Sequence, residues 1–175
     1  MTTKPISAYK RALIVDDDQV IRLTLRALLR DAGYEVVGEA PSGEKSLELI
    51  EKHHPAVVLL DIVMPGESGL DVMLTIAEKY PLSRIVIISG DATSEHVRTA
   101  LERGASGFIA KPFNFNNVVK NVDRAANEAK VLLKASNAKK AEAKPGLLEQ
   151  NQEKTPSDKP QKEEVQASEP PQTGT

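Results

Sequence analysis

Between Arg11 and Leu133 the chain alternates five times between a short apolar run and a longer segment of helical spacing. The first run is Arg11 to Asp16, and Val20 to Ala32 then repeats apolar positions at Ile21, Leu25, Leu28 and Ala32, the spacing of one helix face. Gly33 follows at a natural helix stop. Glu35 to Gly38 reads as a short second strand, and Ser42 is a candidate cap for a helix whose apolar face includes Leu47 and Ile50. The third cycle is Ala56 to Leu60, a loop with Pro65-Gly66, and a helix presenting Leu70, Met73, Leu74 and Ala77. Residues 85–88 and 107–110 are two further strands. Val97, Ala100 and Leu101 mark a fourth helix ending before Gly104, while Val118, Val122, Ala126, Ala129 and Leu133 mark the fifth.

Strands that are apolar throughout, rather than alternating, need cover on both faces. Five strand-then-helix cycles with short connections therefore predict an α/β fold: a doubly wound (βα)5 parallel sheet with helices above and below. The bland alternative is some other doubly wound domain whose polar strand-end residues merely satisfy loops and caps.

Composition sets the boundaries. Of 175 residues, 40% are hydrophobic, enough for one ordinary domain but hardly two. Residues 11–134 hold the apolar stripes, after an N-terminal extension of residues 1–10. Ala135 to Thr175 has only Val165 and Leu147-Leu148 as large aliphatics, no aromatic residue, and Pro145, Pro156, Pro160, Pro170 and Pro171 among charged and polar residues. Such a segment cannot bury enough surface to offset its ordering entropy, so a flexible tail is expected, helical at most to residue 143. There is no cysteine, which removes disulfides, thiolate nucleophiles and zinc-thiolate sites. With no apolar run near the roughly 20 residues that span a bilayer and no signal core in Met1 to Lys10, a cytoplasmic protein without membrane insertion is expected. Lys and Arg total 23 against 25 Asp and Glu, a formal charge of -2 that argues against direct nucleic-acid binding. Arg22, Arg26 and Arg30 read as a solvated face of the first helix.

The chemistry gathers just after the strands. Asp16-Asp17-Asp18, Asp61, Ser89 and Lys111 each end an apolar run, and parallel strands deliver their carboxyl ends to one edge of a sheet. Asp16, Asp17 and Asp61 would repel one another unless neutralised, and an all-oxygen set favours Mg²⁺, or Mn²⁺, over zinc. Asp61 stands alone at its strand end and is the best candidate nucleophile: a carboxylate can attack phosphorus and form an acyl phosphate. Lys111 would offset negative charge on the phosphoryl group, and Ser89 would donate its hydroxyl to it.

Each residue also has an ordinary reading. Asp18 suits a helix cap, as Asp16 and Asp17 could; Ser89 before Gly90 is common turn chemistry; and a lone lysine before Pro112 signifies little. Other enzyme classes find no support. There is no glycine-rich phosphate loop and no dinucleotide fingerprint. His53, His54 and His96 do not form a metal set, and Tyr9, Tyr34 and Tyr80 are too dispersed for a base-stacking platform.

Four segments together carry a resemblance: Leu13-Ile14-Val15-Asp16-Asp17-Asp18, Leu59-Leu60-Asp61-Ile62-Val63-Met64-Pro65-Gly66, Ile87-Ile88-Ser89-Gly90, and Gly107-Phe108-Ile109-Ala110-Lys111-Pro112-Phe113. In this order they resemble the response-regulator receiver domain of two-component signalling over roughly Arg11 to Leu133. The resemblance implies a flavodoxin-like fold of strand order 2-1-3-4-5. It implies that Asp61 accepts a phosphoryl group from a histidine kinase or histidine phosphotransfer protein. It further implies that Asp17 coordinates Mg²⁺ more directly and Asp16 partly through water, with the Val63 carbonyl as another ligand. Ser89 and Lys111 match the family's hydroxyl and lysine positions, and Phe108 its switch aromatic, against an ordinary core or edge aromatic. Val63 and Asp91 border the site and are candidates for tuning phosphoryl lifetime; Asp91 could equally cap the fourth helix.

Since only the tail follows the receiver segment, a single-domain phosphoacceptor switch of the chemotaxis or phosphorelay type is expected, rather than an enzyme acting on a separate substrate. Its output would be a protein partner on the surface of the fourth helix, fifth strand and fifth helix, and homodimerisation there stays open. The runner-up is a scaffold that keeps the receiver fold and binds without phosphorylation. A small-molecule phosphatase comes third, for want of a substrate lid.

Overall fold

The computed structural model describes residues 7–90 and 93–142, with the side chains of Glu67, Ser94, Glu95, His96 and residues 140–142 outside the description. The expectations for Asp91, for residues 1–6 and for the tail beyond residue 142 lie outside the described residues.

A single 3-10 turn, Ala8–Lys10, leads into β1 (Arg11–Val15). There follow α1 (Gln19–Asp31), β2 (Glu35–Ala40), α2 (Gly43–His53) and β3 (Val57–Asp61). After β3 come α3 (Gly69–Lys79), β4 (Arg84–Ser89), α4 (Ser94–Glu102), β5 (Gly107–Ala110) and α5 (Phe115–Glu142). The five strands form one sheet in the order β2-β1-β3-β4-β5, all pairs parallel. The doubly wound parallel sheet expected from the alternation is thus observed, with the flavodoxin-like strand order 2-1-3-4-5 that the resemblance implied.

Local chemistry explains the boundaries. The Asp18 carboxylate accepts from the amides of Val20 and Ile21, and the Ser42 and Ser68 hydroxyls accept from those of Lys45 and Asp71, so α1, α2 and α3 each start on a side-chain cap. α1 and α4 end alike. Gly33 (φ 77°) and Gly104 (φ 98°) take the left-handed conformation. The next amide then reaches back to the last helical turn, Tyr34 to the Leu29 carbonyl at 2.9 Å and Ala105 to that of Ala100 at 3.0 Å.

Successive strand residues point to opposite faces, so the sheet feeds two cores. Ala12, Ile14, Val57, Leu59, Val86, Ile88 and Ile109 pack with Leu25 and Leu29 of α1 and Val118, Val122 and Ala129 of α5. Leu13, Val15, Val58, Leu60, Ile85 and Ile87 pack on the other face with Ile50, Met73, Ile76 and Ala100. Dual burial is why β1, β3 and β4 read as unbroken apolar runs.

Three expectations change. Leu74 and Leu101 are not core: they are 41% and 45% exposed, because Val72, Met73 and Ile76 occupy the buried side of α3 and Ala100 that of α4. β2 runs on to Ala40 rather than stopping at Gly38. The loop around Pro65-Gly66 is a small antiparallel hairpin in which Val63 pairs with Ser68 and Met64 with Glu67. α5 is 28 residues long, about 42 Å at 1.5 Å per residue. No described helix is long and apolar enough to cross a membrane.

Candidate functional site

The carboxyl edge of the sheet collects the acidic residues. Asp16 directly follows β1, its amide donating to the Ala40 carbonyl at 3.1 Å, and its side chain is fully buried. Its Oδ1 accepts from the Asp18 amide at 2.9 Å, and its Oδ2 from Lys111 Nζ at 2.7 Å. Asp61 is the last residue of β3 and only 3% exposed. Its Oδ1 accepts from the Val63 amide at 2.9 Å and its Oδ2 from Lys111 Nζ at 2.6 Å. Asp17 is exposed at the mouth of the site. Asp16, Asp17 and Asp61 each present a carboxylate oxygen within 4.8 Å of the others.

Lys111 reaches this cluster because β5 ends beside β4. The Lys111 amide donates to the Ser89 carbonyl at 2.8 Å, which joins the two strand ends and brings Ser89, fully buried, to the same edge. The Lys111–Pro112 peptide is cis. Burial alone would pull the Lys111 ammonium down, but its hydrogen bonds to Asp16 and Asp61 outweigh this and hold it above the ordinary lysine range. For Asp16 burial dominates: it raises the carboxyl above its ordinary value despite the opposing pull of Lys111 and the Asp18 amide. One ammonium therefore serves two carboxylates of a three-carboxylate cluster.

That imbalance, together with oxygen donors only, fits a hard divalent cation such as Mg²⁺ or Mn²⁺ held by Asp16, Asp17 and Asp61. Phe108 sits one strand position from Ile109, partly buried in the layer of α2, α3 and α4, and pairs in register with Ile87.

Arg22 was not legible as a site residue, and its expected place on a solvated face is corrected. Its Nη1 donates to the carbonyls of Asp16 at 2.7 Å and Asp17 at 3.0 Å, and its side chain is only 15% exposed. A cation in the first turn of a helix is disfavoured by the helix dipole, so its presence at that place was the one available signal that it has a partner. Arg26 is likewise engaged, 2.9 Å from the Glu39 carboxylate.

Residues 12–123 match the model of the response regulator receiver domain. The chain belongs to that family. Among similar receivers, the chemotaxis protein CheY of Thermotoga maritima is 36% identical over 117 residues, covering 67% of this chain and 98% of CheY. The transcriptional regulatory protein PdtaR of Mycobacterium tuberculosis is 35% identical over 118 residues, covering 67% of this chain but only 57% of PdtaR. In structure, this receiver resembles the receiver domain of the putative response regulator NarL from Mycobacterium tuberculosis, with a TM-score of 0.62, 36% identity, and 67% and 95% of the two chains covered. It also resembles a crystallised CheX-CheY-BeF3-Mg²⁺ complex from Borrelia burgdorferi, with a TM-score of 0.62, 29% identity, and 64% and 85% covered. The Asp16, Asp17 and Asp61 cluster of this receiver is positioned like the phosphoacceptor site of such CheY-like structures. It is accordingly a phosphoacceptor switch in class.

Proposed function

We propose that Asp61 is the phosphoacceptor of this receiver, taking its phosphoryl group from the phosphohistidine of a kinase or phosphotransfer protein. One observation carries the reading: Asp61 ends β3 with one oxygen on the Val63 amide and the other 2.6 Å from Lys111 Nζ, and presents a carboxylate oxygen within 4.8 Å of one from each of Asp16 and Asp17. In the transfer a carboxylate oxygen attacks phosphorus, the new P–O bond forms as the donor's P–N bond breaks, and the imidazole leaves with that electron pair. Lys111 offsets charge on the phosphoryl oxygens, and the Val63 amide orients the acceptor. A bound Mg²⁺ would supply further charge neutralisation for the same oxygens, held by Asp16, Asp17, Asp61 and the Val63 carbonyl. Hydrolysis of the acyl phosphate by water returns the carboxylate and releases inorganic phosphate. Val63, 61% exposed and two residues after Asp61, is proposed to tune that lifetime, and the same role is proposed for Asp91.

The signal leaves by a change of surface. Ser89 ends β4 and would donate its hydroxyl to the phosphoryl group; the displacement would open room for Phe108, whose further burial favours the change. α4, β5, which carries Phe108, and α5 form the proposed docking face for a protein partner. The BeF3 and Mg²⁺ named with the Borrelia CheY support both the acceptor and the metal for this chain.

The deciding measurement is intact-protein mass after exposure to a small phosphodonor with Mg²⁺. The parent gains one phosphoryl group and Asp61→Asn none; equal labelling rejects Asp61 as acceptor.

A further inference from the structure

The acidic loop has a support that touches none of its carboxylates. Arg22 Nη1 donates to two consecutive carbonyls, Asp16 at 2.7 Å and Asp17 at 3.0 Å, and so fixes both peptide planes that flank Asp17. Asp16 is held independently through its own side chain, by the Asp18 amide and Lys111. Among the described residues no side-chain hydrogen bond or ion pair of comparable kind holds the exposed Asp17 carboxylate. Its direction depends on the main chain.

The guanidinium is itself held from the far side. Glu39 on β2 lies 3.8 Å from Arg22 Nε, in ion-pair range, and 2.9 Å from Arg26 Nη1, so one carboxylate spans two arginines a helical turn apart. Glu39 is 22% exposed and Arg22 15%, which restricts both to few conformations. The result is a chain of contacts from β2 through α1 to the acidic loop.

We propose that Arg22, braced by Glu39, is a positioning residue that aims the Asp17 carboxylate at the cation site; this rests on the metal reading above. Two effects of Arg22 on that site have opposite sign. Its positive charge repels a cation, whereas its two hydrogen bonds pre-organise a ligand. Supports of this kind around ligands are typically worth about 10-fold or more in metal affinity, so orientation should prevail over repulsion.

The test is Mg²⁺ titration of the full chain followed by amide NMR shifts of Asp17 and Asp18, with Asp18 amide exchange in EDTA as a metal-free readout. Arg22→Met should weaken Mg²⁺ binding about 10-fold and speed Asp18 exchange. Arg22→Lys should fall between Met and the parent, because the ammonium keeps donors near the carbonyls, and Glu39→Gln should weaken binding by a smaller factor. Unfolding in EDTA reads general stability separately. Unchanged or tighter Mg²⁺ binding by folded Arg22→Met overturns the proposal. If that variant does not fold, parental affinity in both Arg22→Lys and Glu39→Gln overturns it. A parent that fails to bind Mg²⁺ rejects the metal reading instead, and unaltered Asp18 exchange would then reject the loop support as well.

Discussion

Lys111 Nζ lies 2.6 Å from Asp61 Oδ2 while also donating to Asp16, so a single ammonium bridges the ends of β1 and β3 from the end of β5. Lys111→Met removes the one cation of this contact set and leaves Asp16, fully buried, with an uncompensated carboxylate. Loss of hydrogen bonds to buried charged groups costs about 1–3 kcal/mol each, which sets the expected drop in metal-free stability. Added Mg²⁺ should then stabilise the variant more than the parent. Urea unfolding in EDTA and in Mg²⁺ checks this, and a variant as stable as the parent in EDTA would contradict it. Phosphoryl uptake by the folded variant should fall by about 100-fold, the scale seen when one preorganised donor to a developing charge is removed.

Gly69 packs directly against the backbone of Asp61 and Ile62. A Cβ added there would come within 2.4 Å of both the Asp61 carbonyl oxygen and the Ile62 Cα, backbone atoms that cannot yield as a flexible side chain can. The Gly69 amide also donates to the Ile62 carbonyl at 3.3 Å, closing the hairpin that follows Asp61. Gly69→Ala should lose about 1–3 kcal/mol, the usual cost of overpacking, and should shift the Val63 amide that holds Asp61. Denaturant midpoints and the Val63 amide resonance test it together. A variant with parental values for both would show that the hairpin accommodates the methyl group.

What the chain reveals by itself depends on the range of the interactions. The strands of the sheet interior were legible because burial on both faces leaves a continuous apolar run, and the caps Asp18 and Ser42 because their partners lie two or three residues away. Asp16, Asp17, Asp61 and Lys111 were legible as a set because parallel strands all end on one edge. Leu74 and Leu101 were misassigned because helical spacing alone does not locate the centre of the buried stripe. The hairpin at Val63–Met64 and Glu67–Ser68 has strands too short for any period to appear. Arg22 was missed because its partners are main-chain carbonyls and a glutamate on another element, neither of which leaves a mark on local spacing.

Tyr34 ties the first turn of the sheet to the last helix. Its hydroxyl donates to Asp123 Oδ1 at 2.6 Å, Lys10 Nζ lies 4.4 Å from its ring centroid, and burial with the Asp123 carboxylate raises its phenol well above the ordinary tyrosine range. Tyr34→Phe keeps the ring and removes the donor to a charged group, so the expected loss is about 1.5–3 kcal/mol, nearer the lower figure because Asp123 retains solvent and Lys10. Chemical denaturation measures it. No change would mean that water replaces the hydroxyl at no cost.

Asp16 gives the metal-free protein a definite response to pH. Its folded carboxyl is raised above the ordinary value of 3.8, burial being the main cause, so the folded state holds this proton more tightly than the unfolded chain does. The sign follows directly: the contribution is fully present below 3.8 and is lost as pH rises from there through the folded value. The neighbouring ammonium works in the alkaline range instead. Lys111 is raised above 10.5, so its stabilising contribution holds below that value and is lost only as pH rises through the folded one. Asp16→Asn has no acidic titration at this position. In EDTA, the stability of the parent relative to Asp16→Asn should therefore be greater at pH 4.5 than at pH 7.5, with the two measured by urea unfolding at matched ionic strength. Mg²⁺ at pH 7.5 should narrow the difference by favouring the ionised carboxylate. A relative stability that instead rises with pH in EDTA would mean that Lys111 and the Asp18 amide, rather than burial, control the Asp16 carboxyl.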